Sequence, residues 1–227
     1  MTHGVCWRML RLLVPVGFAL AAWVSGAGLP AQEGWTHTFD QERLDHAPAG
    51  FSFASMRQVD AGRWMVQKHA GQAVLVHQAE PSASGYALAI ADGPTAPDVS
   101  VSARLRFAGL VKMGGLVWRY QDDRNFYALV LDLTTRDLAM YRVAGGNRIR
   151  LDVEDDLELD PQGWHTLKVT HERADIRVSL GGVRVFDEQD RRADRDKTVA
   201  GRVGVLAAGH AEVWFDDLHF EPRRSRP

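Results

Sequence analysis

Hydrophobic and polar positions along this chain alternate mainly with a period of two, the signature of strands with one buried face. The pattern is densest from Gly114 to Val143, GGLVWRYQDDRNFYALVLDLTTRDLAMYRV. Three runs of aromatic, β-branched and aliphatic residues are cut there by Gln121-Asp122-Asp123-Arg124-Asn125 and by Thr134-Thr135-Arg136-Asp137. Asp, Asn and Thr supply turns while the runs favour strands, so the stretch predicts an antiparallel meander. Upstream, Trp35 to Asp40, Arg63 to Val66, Ala73 to His77, Tyr86 to Ile90 and Val99 to Leu110 read as strands, with Gln41 to Phe53 an irregular crossing loop. Downstream, Ile149 to Val153 and Gly163 to His171 follow, then a hairpin through Gly181-Gly182, a charged loop from Gln189 to Lys197, and two closing strands, Gly201 to Ala207 and Ala211 to Phe220. About 12 to 14 short strands at this turn spacing predict an all-β sandwich of antiparallel sheets. The absence of an amphipathic helix to serve as a crossover argues against a parallel α/β sheet.

The N-terminus changes the picture by predicting export. Arg8 and Arg11 precede an apolar run, Leu12 to Val24, whose roughly 13 residues suit a signal-peptide core and fall short of a membrane span. Small residues follow at Ser25-Gly26-Ala27 and Leu29-Pro30-Ala31. Residues 1–31 are therefore read as a signal peptide, 32–220 as the sandwich and 221–227 as a disordered basic tail, in a periplasmic or secreted protein with no stable membrane insertion after cleavage. The single cysteine, Cys6, lies in the leader, so the exported part would hold no disulfide or thiolate site. A formal net charge of -2, from 27 basic and 29 acidic residues, argues against a nucleic-acid partner, which calls for a clear basic excess or stripe.

The run Gly114 to Tyr127, followed in order by Tyr141-Arg142-Val143, Gly163-Trp164-His165-Thr166-Leu167, Gly201-Arg202-Val203-Gly204-Val205 and Phe215-Asp216-Asp217-Leu218, resembles secreted bacterial proteins of the concanavalin A-like lectin/glucanase superfamily. Among them it is most similar to the 3-keto-disaccharide hydrolase-like domains. The resemblance covers residues 35 to 220 and implies a jelly roll of two curved antiparallel sheets in a carbohydrate context. The Asn-Gly-Lys-Asp-Leu-type turn and the Gly-Tyr-Glu-type strand of the hydrolase-like group are absent, and no catalytic residue of that group is carried over.

Three sets of residues carry candidate chemistry. Glu154, Asp156 and Glu158 have the spacing of the Glu-x-Asp-x-Glu strand of laminarinase-type glucanases, which places three acids on one face; here Asp155 replaces an aliphatic residue, and an acidic sheet edge is the plainer meaning. Arg119, Asp123, Asn125, Tyr127, Tyr141 and Arg142 unite guanidinium, carboxylate and amide groups with aromatic platforms, a combination suited to sugar hydroxyls and C–H faces. On that reading Arg119 projects from the sheet, and its loss weakens sugar binding while sparing the fold. The competing reading packs the two tyrosines in the core and leaves Asp123 to Asn125 as a turn. Asp40, Asp216 and Asp217 offer hard oxygen donors for calcium but far fewer than a full ligand set; no cofactor is required. The nine histidines show no zinc spacing, and His165 and His171, out of step with Trp164, are expected on the surface. The tryptophans Trp64, Trp118, Trp164 and Trp214 are read mainly as core. A glycan-binding, lectin-like domain using its concave face is the leading functional expectation. A glycoside hydrolase of the keto-disaccharide or β-glucan kind competes with it, and a structural or protein-interaction sandwich is the third reading.

Overall fold

A computed structural model describes Met1 and residues 33–56, 62–80, 82–83, 85–190 and 199–223. The predicted leader, most of the charged loop after Gln189 and the last four residues lie outside these. Among the described residues every regular element is a strand, and the strands form two antiparallel sheets. The eight-stranded sheet contains β1 (Trp35–His37), β3 (Arg63–His69), β4 (Gln72–Gln78), β6 (Val99–Phe107), β11 (His165–Glu172), β12 (Asp175–Leu180), β13 (Val183–Gln189) and β15 (Val213–Pro222), in the order β13-β12-β11-β6-β15-β4-β3, with β1 also paired to β15. The seven-stranded sheet contains β2 (Phe51–Met56), β5 (Tyr86–Ala91), β7 (Met113–Asp122), β8 (Asn125–Asp132), β9 (Asp137–Ala144), β10 (Asn147–Glu154) and β14 (Arg202–Ala208), in the order β10-β9-β8-β7-β14-β5-β2. The predicted meander is the β7-β8-β9 set, continued by β10. The last two strands of the chain are central, β14 between β7 and β5 and β15 between β6 and β4.

Alternation builds the layer between the sheets. In β6, Val101, Ala103, Leu105 and Phe107 are buried, while Ser102, Arg104 and Arg106 face outward. In β11, Leu167 and Val169 are buried, and so are His165 and His171. This corrects the expectation that the two histidines are surface groups: Trp164 lies just before the strand and does not set its phase. Trp64 and Trp118 are buried as expected, whereas Trp164 and Trp214 are only half-buried. β8 has no polar face, because Tyr127, Leu129 and Leu131 enter the core between the sheets while Phe126, Ala128 and Val130 join a second apolar cluster on the sheet's other side. The Gly181-Gly182 and Gly145-Gly146 turns both take φ near 59° and 84°, the left-handed pair that a tight two-residue hairpin requires.

The C-terminal boundary differs from the sequence expectation. Glu221 and Pro222 belong to β15, and Arg223 pairs with Glu172 at 3.0 Å and Glu221 at 3.2 Å. The main-chain N–H of Arg223 also donates to the Asp98 carbonyl at 2.9 Å.

Candidate functional site: a cleft at one corner of the curved sheet

The outer face of the seven-stranded sheet is concave, and one contact demonstrates it. Arg148 lies on the edge strand β10 and Tyr86 on β5, with four strands between them. On a flat sheet five strand spacings amount to roughly 24 Å, farther than the two side chains together can reach. Nevertheless Arg148 Nη1 donates to the Tyr86 hydroxyl at 2.8 Å. The right-handed twist of successive strands, accumulated across the sheet, brings these diagonal corners together over one face. The guanidinium lies 5.8 Å from the Tyr86 ring and 4.6 Å from the Tyr141 ring, so two aromatic faces hold it. Burial raises the Tyr86 pKa, with Arg148 opposing that shift.

Beside this arch lies a cleft of about 490 Å³ lined by Met56, Gly85, Tyr86, Met113, Gly146, Asn147, Arg148, Ala208 and His210. Its volume is in the range of small-ligand sites. One wall comes from the start of β5 and the end of β14, and the other from the β9–β10 hairpin. The amide of Asn147, the guanidinium of Arg148, the imidazole of His210 and the phenol of Tyr86 give it both donors and acceptors. The rest of the concave face differs in character. Leu88, Ile90, Val117, Ala128, Val130, Val143 and Leu206 form a buried aliphatic floor, which has nothing to hydrogen-bond a hydroxyl. Polar chemistry on this face is therefore confined to its margins.

The structure separates the residues expected to bind a ligand. Arg119 does not project from the sheet. It occupies an irregularity in the pairing of β7 with β8, between Trp118 and Asp122, and has φ of 47°. The pairing of β14 with β7 is also shifted nearby, and a side chain on Gly201 would collide with the Arg119 backbone. The bulge re-aims the side chain, so Arg119 is only 2% exposed. Its Nε donates to the Pro97 carbonyl at 2.5 Å, its Nη2 donates to the Arg173 carbonyl at 3.1 Å, and it pairs with Asp98 at 3.4 Å. Burial lowers its pKa. Tyr127 is likewise buried and stacks on Trp118 with centroids 5.6 Å apart. Its hydroxyl donates to Asp190 at 3.0 Å, and burial pushes its pKa well up. Arg142 reaches the same Asp190 at 3.7 Å. Arg119, Tyr127 and Arg142 thus belong to a buried polar network, not to a sugar face.

Asn125 is a turn residue: its amide donates to Asp122 and its Oδ1 accepts from the Gly145 N–H at 3.0 Å. Asp123 sits half-exposed in the same turn. Of the six, only Tyr141 comes near the cleft, as the platform beneath Arg148.

The three acids do not share a strand face. Glu154 is the last residue of β10, and Asp156 lies beyond it with φ of 59°. The left-handed residue turns the chain and ends the alternation. Glu158 is an exposed loop residue, and none of the three lines the cleft. The calcium candidates are also dispersed into other partnerships. Arg104 pairs with Asp216 at 2.8 Å and Asp217 at 2.6 Å, whereas Asp40 accepts from the Ala73 N–H at 3.4 Å. Among the described residues no three His, Cys, Asp or Glu side chains form a group suited to a metal.

Sequence reasoning passed over Tyr86, Asn147, Arg148 and His210 as site residues. Nothing local in the sequence shows that the β9–β10 hairpin arches onto a strand about 60 residues earlier.

No family model matches this chain, and no curated protein matches it. Solved structures do. Carbohydrate-binding module CBM66 from Bacillus subtilis superposes with a TM-score of 0.60 at 14% identity, over 79% of this chain and 99% of that one. A GH16 protein of the Bacteroides ovatus mixed-linkage glucan locus gives 0.55 at 7% identity, over 82% and 99%. A β-1,3-glucanase from Mycobacterium marinum gives 0.56 at 15% identity, over 85% and 100%. Likeness at these identities concerns the fold alone, a concanavalin A-like jelly-roll sandwich of two antiparallel sheets.

Proposed function

We propose that this chain is an exported, non-catalytic glycan-binding module whose site is the corner cleft of the concave face. The observation that carries this reading is the lining of the cleft: an amide, a ring-clamped guanidinium, an imidazole and a tyrosine, without a carboxylate among the described lining residues. Glycoside hydrolysis generally needs two carboxyl groups about 5 to 10 Å apart across the scissile bond. Asp132, the acid whose charge reaches Tyr86, accepts the N–H groups of Thr134 and Thr135 in the β8–β9 turn. Glu154, Asp156 and Glu158 lie elsewhere. Support for a sugar as ligand comes from the structural neighbours, one named as a carbohydrate-binding module and others as glucan hydrolases. Fold alone does not fix function, and the cleft's chemistry is what supports the binding reading over the hydrolytic one.

Ligand-observed NMR of the full chain with a panel of oligosaccharides, a 3-keto-disaccharide included, tests the proposal. Line broadening without new anomeric signals is expected. New anomeric signals would make the protein a hydrolase, and silence across the panel would return it to the structural or protein-interaction reading.

A further inference from the structure

Among the described residues, five arginines place a guanidinium against an aromatic ring, and four have their charge or hydrogen bonding met within the protein. Arg104, over Trp164, pairs with Asp216 and Asp217. Arg119, near Tyr127, pairs with Asp98. Arg202, over Tyr120, pairs with Asp92 at 2.8 Å. Arg106, over Trp214, bonds the imidazole of His69 at 2.8 Å. The fifth, Arg148, is held by two tyrosines and bonds only a neutral phenol. Arg148 is exposed, and among the described residues no carboxylate pairs with its remaining guanidinium N–H groups.

A planar fork held this way is pre-organised for two parallel hydrogen bonds to an oxyanion, and it loses less side-chain freedom on binding than a mobile surface arginine does. A second cation reinforces the point. Arg150 lies two residues along β10, its register partner is Tyr141, and it is exposed with no carboxylate partner among the described residues. Residues at i and i+2 on a strand share a face and stand roughly 7 Å apart. The imidazole of His210 also lines the cleft.

We infer that the cleft selects an anionic glycan, a uronic-acid oligosaccharide whose carboxylates meet Arg148 and Arg150. This deepens the glycan-binding reading of the same cleft and rests on it. A neutral sugar would leave the ring-held guanidinium without a counter-charge, whereas a carboxylate would supply one.

Calorimetric titration of the full chain with hexamers of galacturonate and mannuronate, against xylohexaose and laminarihexaose, at 50 and 500 mM NaCl, tests the inference. One or both acidic hexamers should bind at least tenfold tighter than the neutral ones and lose at least tenfold at the higher salt. Arg148→Gln should abolish that preference and Arg148→Lys should keep part of it. Arg150→Gln, which leaves the arch intact, should cost several-fold in acidic-hexamer affinity alone. Neutral hexamers binding as tightly, without salt dependence, would overturn the anionic specificity and leave a glycan site standing. Failure of all four hexamers would overturn the glycan reading together with it. Competition by millimolar inorganic sulfate at the strength of the hexamers would reduce the site to a simple oxyanion pocket and overturn the uronate assignment.

Discussion

Replacing Arg119 with alanine distinguishes a structural arginine from a ligand-binding one. The side chain is nearly inaccessible and holds the Pro97 and Arg173 carbonyls and the Asp98 carboxylate together. Alanine leaves a buried carboxylate without its cation and two carbonyls without a donor. Removing one member of a buried pair costs about 3 to 5 kcal/mol. The lower end applies here, because Asp98 also accepts the Arg173 main-chain N–H at 2.7 Å. Alanine does not relieve the positive φ at this position, so no backbone term offsets the loss. For a domain of this size, about 3 kcal/mol corresponds to a fall in Tm of roughly 6 to 12 °C. Thermal unfolding of both proteins followed by circular dichroism reads this directly, with glycan titration well below the lower Tm as the second measurement. Affinity in the folded variant should stay within about twofold. A Tm within 1 °C of the parent together with a large loss of affinity would refute the argument and restore Arg119 to the binding face.

Acidification should destabilise the protein through His171. Burial and the neighbouring Arg119 charge hold its pKa well below the ordinary histidine value, so the unfolded chain binds more protons and stability falls as pH drops below about 6.5. Its Nδ1 accepts from the indole N–H of Trp118 at 2.9 Å, and His171→Gln, with an amide oxygen in place of that acceptor, should flatten the Tm decline between pH 7 and pH 5. Gly201→Ala should cost at least about 1 to 3 kcal/mol, since the added carbon enters the Arg119 backbone; an unchanged denaturation midpoint would show that the bulge can yield. The combined change Glu154→Gln, Asp156→Asn and Glu158→Gln should alter neither stability beyond about 1 kcal/mol nor sugar affinity, because the three side chains are exposed and remote from the cleft.

Much of the sandwich is legible in the sequence because its information is local. Alternation in β6 and β12 and the Gly181-Gly182 turn are each stated within ten or so residues, and the β7-β8-β9 meander within one continuous stretch, Met113 to Ala144. The site is less legible because its geometry is not local. Arg119 would point outward in a regular strand, and only the bulge buries it, a departure visible once β14 is set against β7. His171 looks like a polar surface residue until its indole donor, 53 positions away, is known. Tyr86 and Arg148 meet only because twist accumulates over five strand pairings. Alternation assigns a side chain to a face, but it does not tell which distant corner that face will curl to meet.

The placement of the last two strands has a consequence for how the chain reaches this state. β14 and β15 are the final elements in sequence, yet each sits in the middle of a sheet. Until residues 202–222 arrive, β7 has no bridge to β5 and β6 has none to β4. The β7–β10 meander can form by short-range closure, whereas joining the halves waits on contacts of long sequence separation, the slow kind. A nascent chain therefore stays open until residues 202–222 have emerged, and truncation before Gly201 splits both sheets at once.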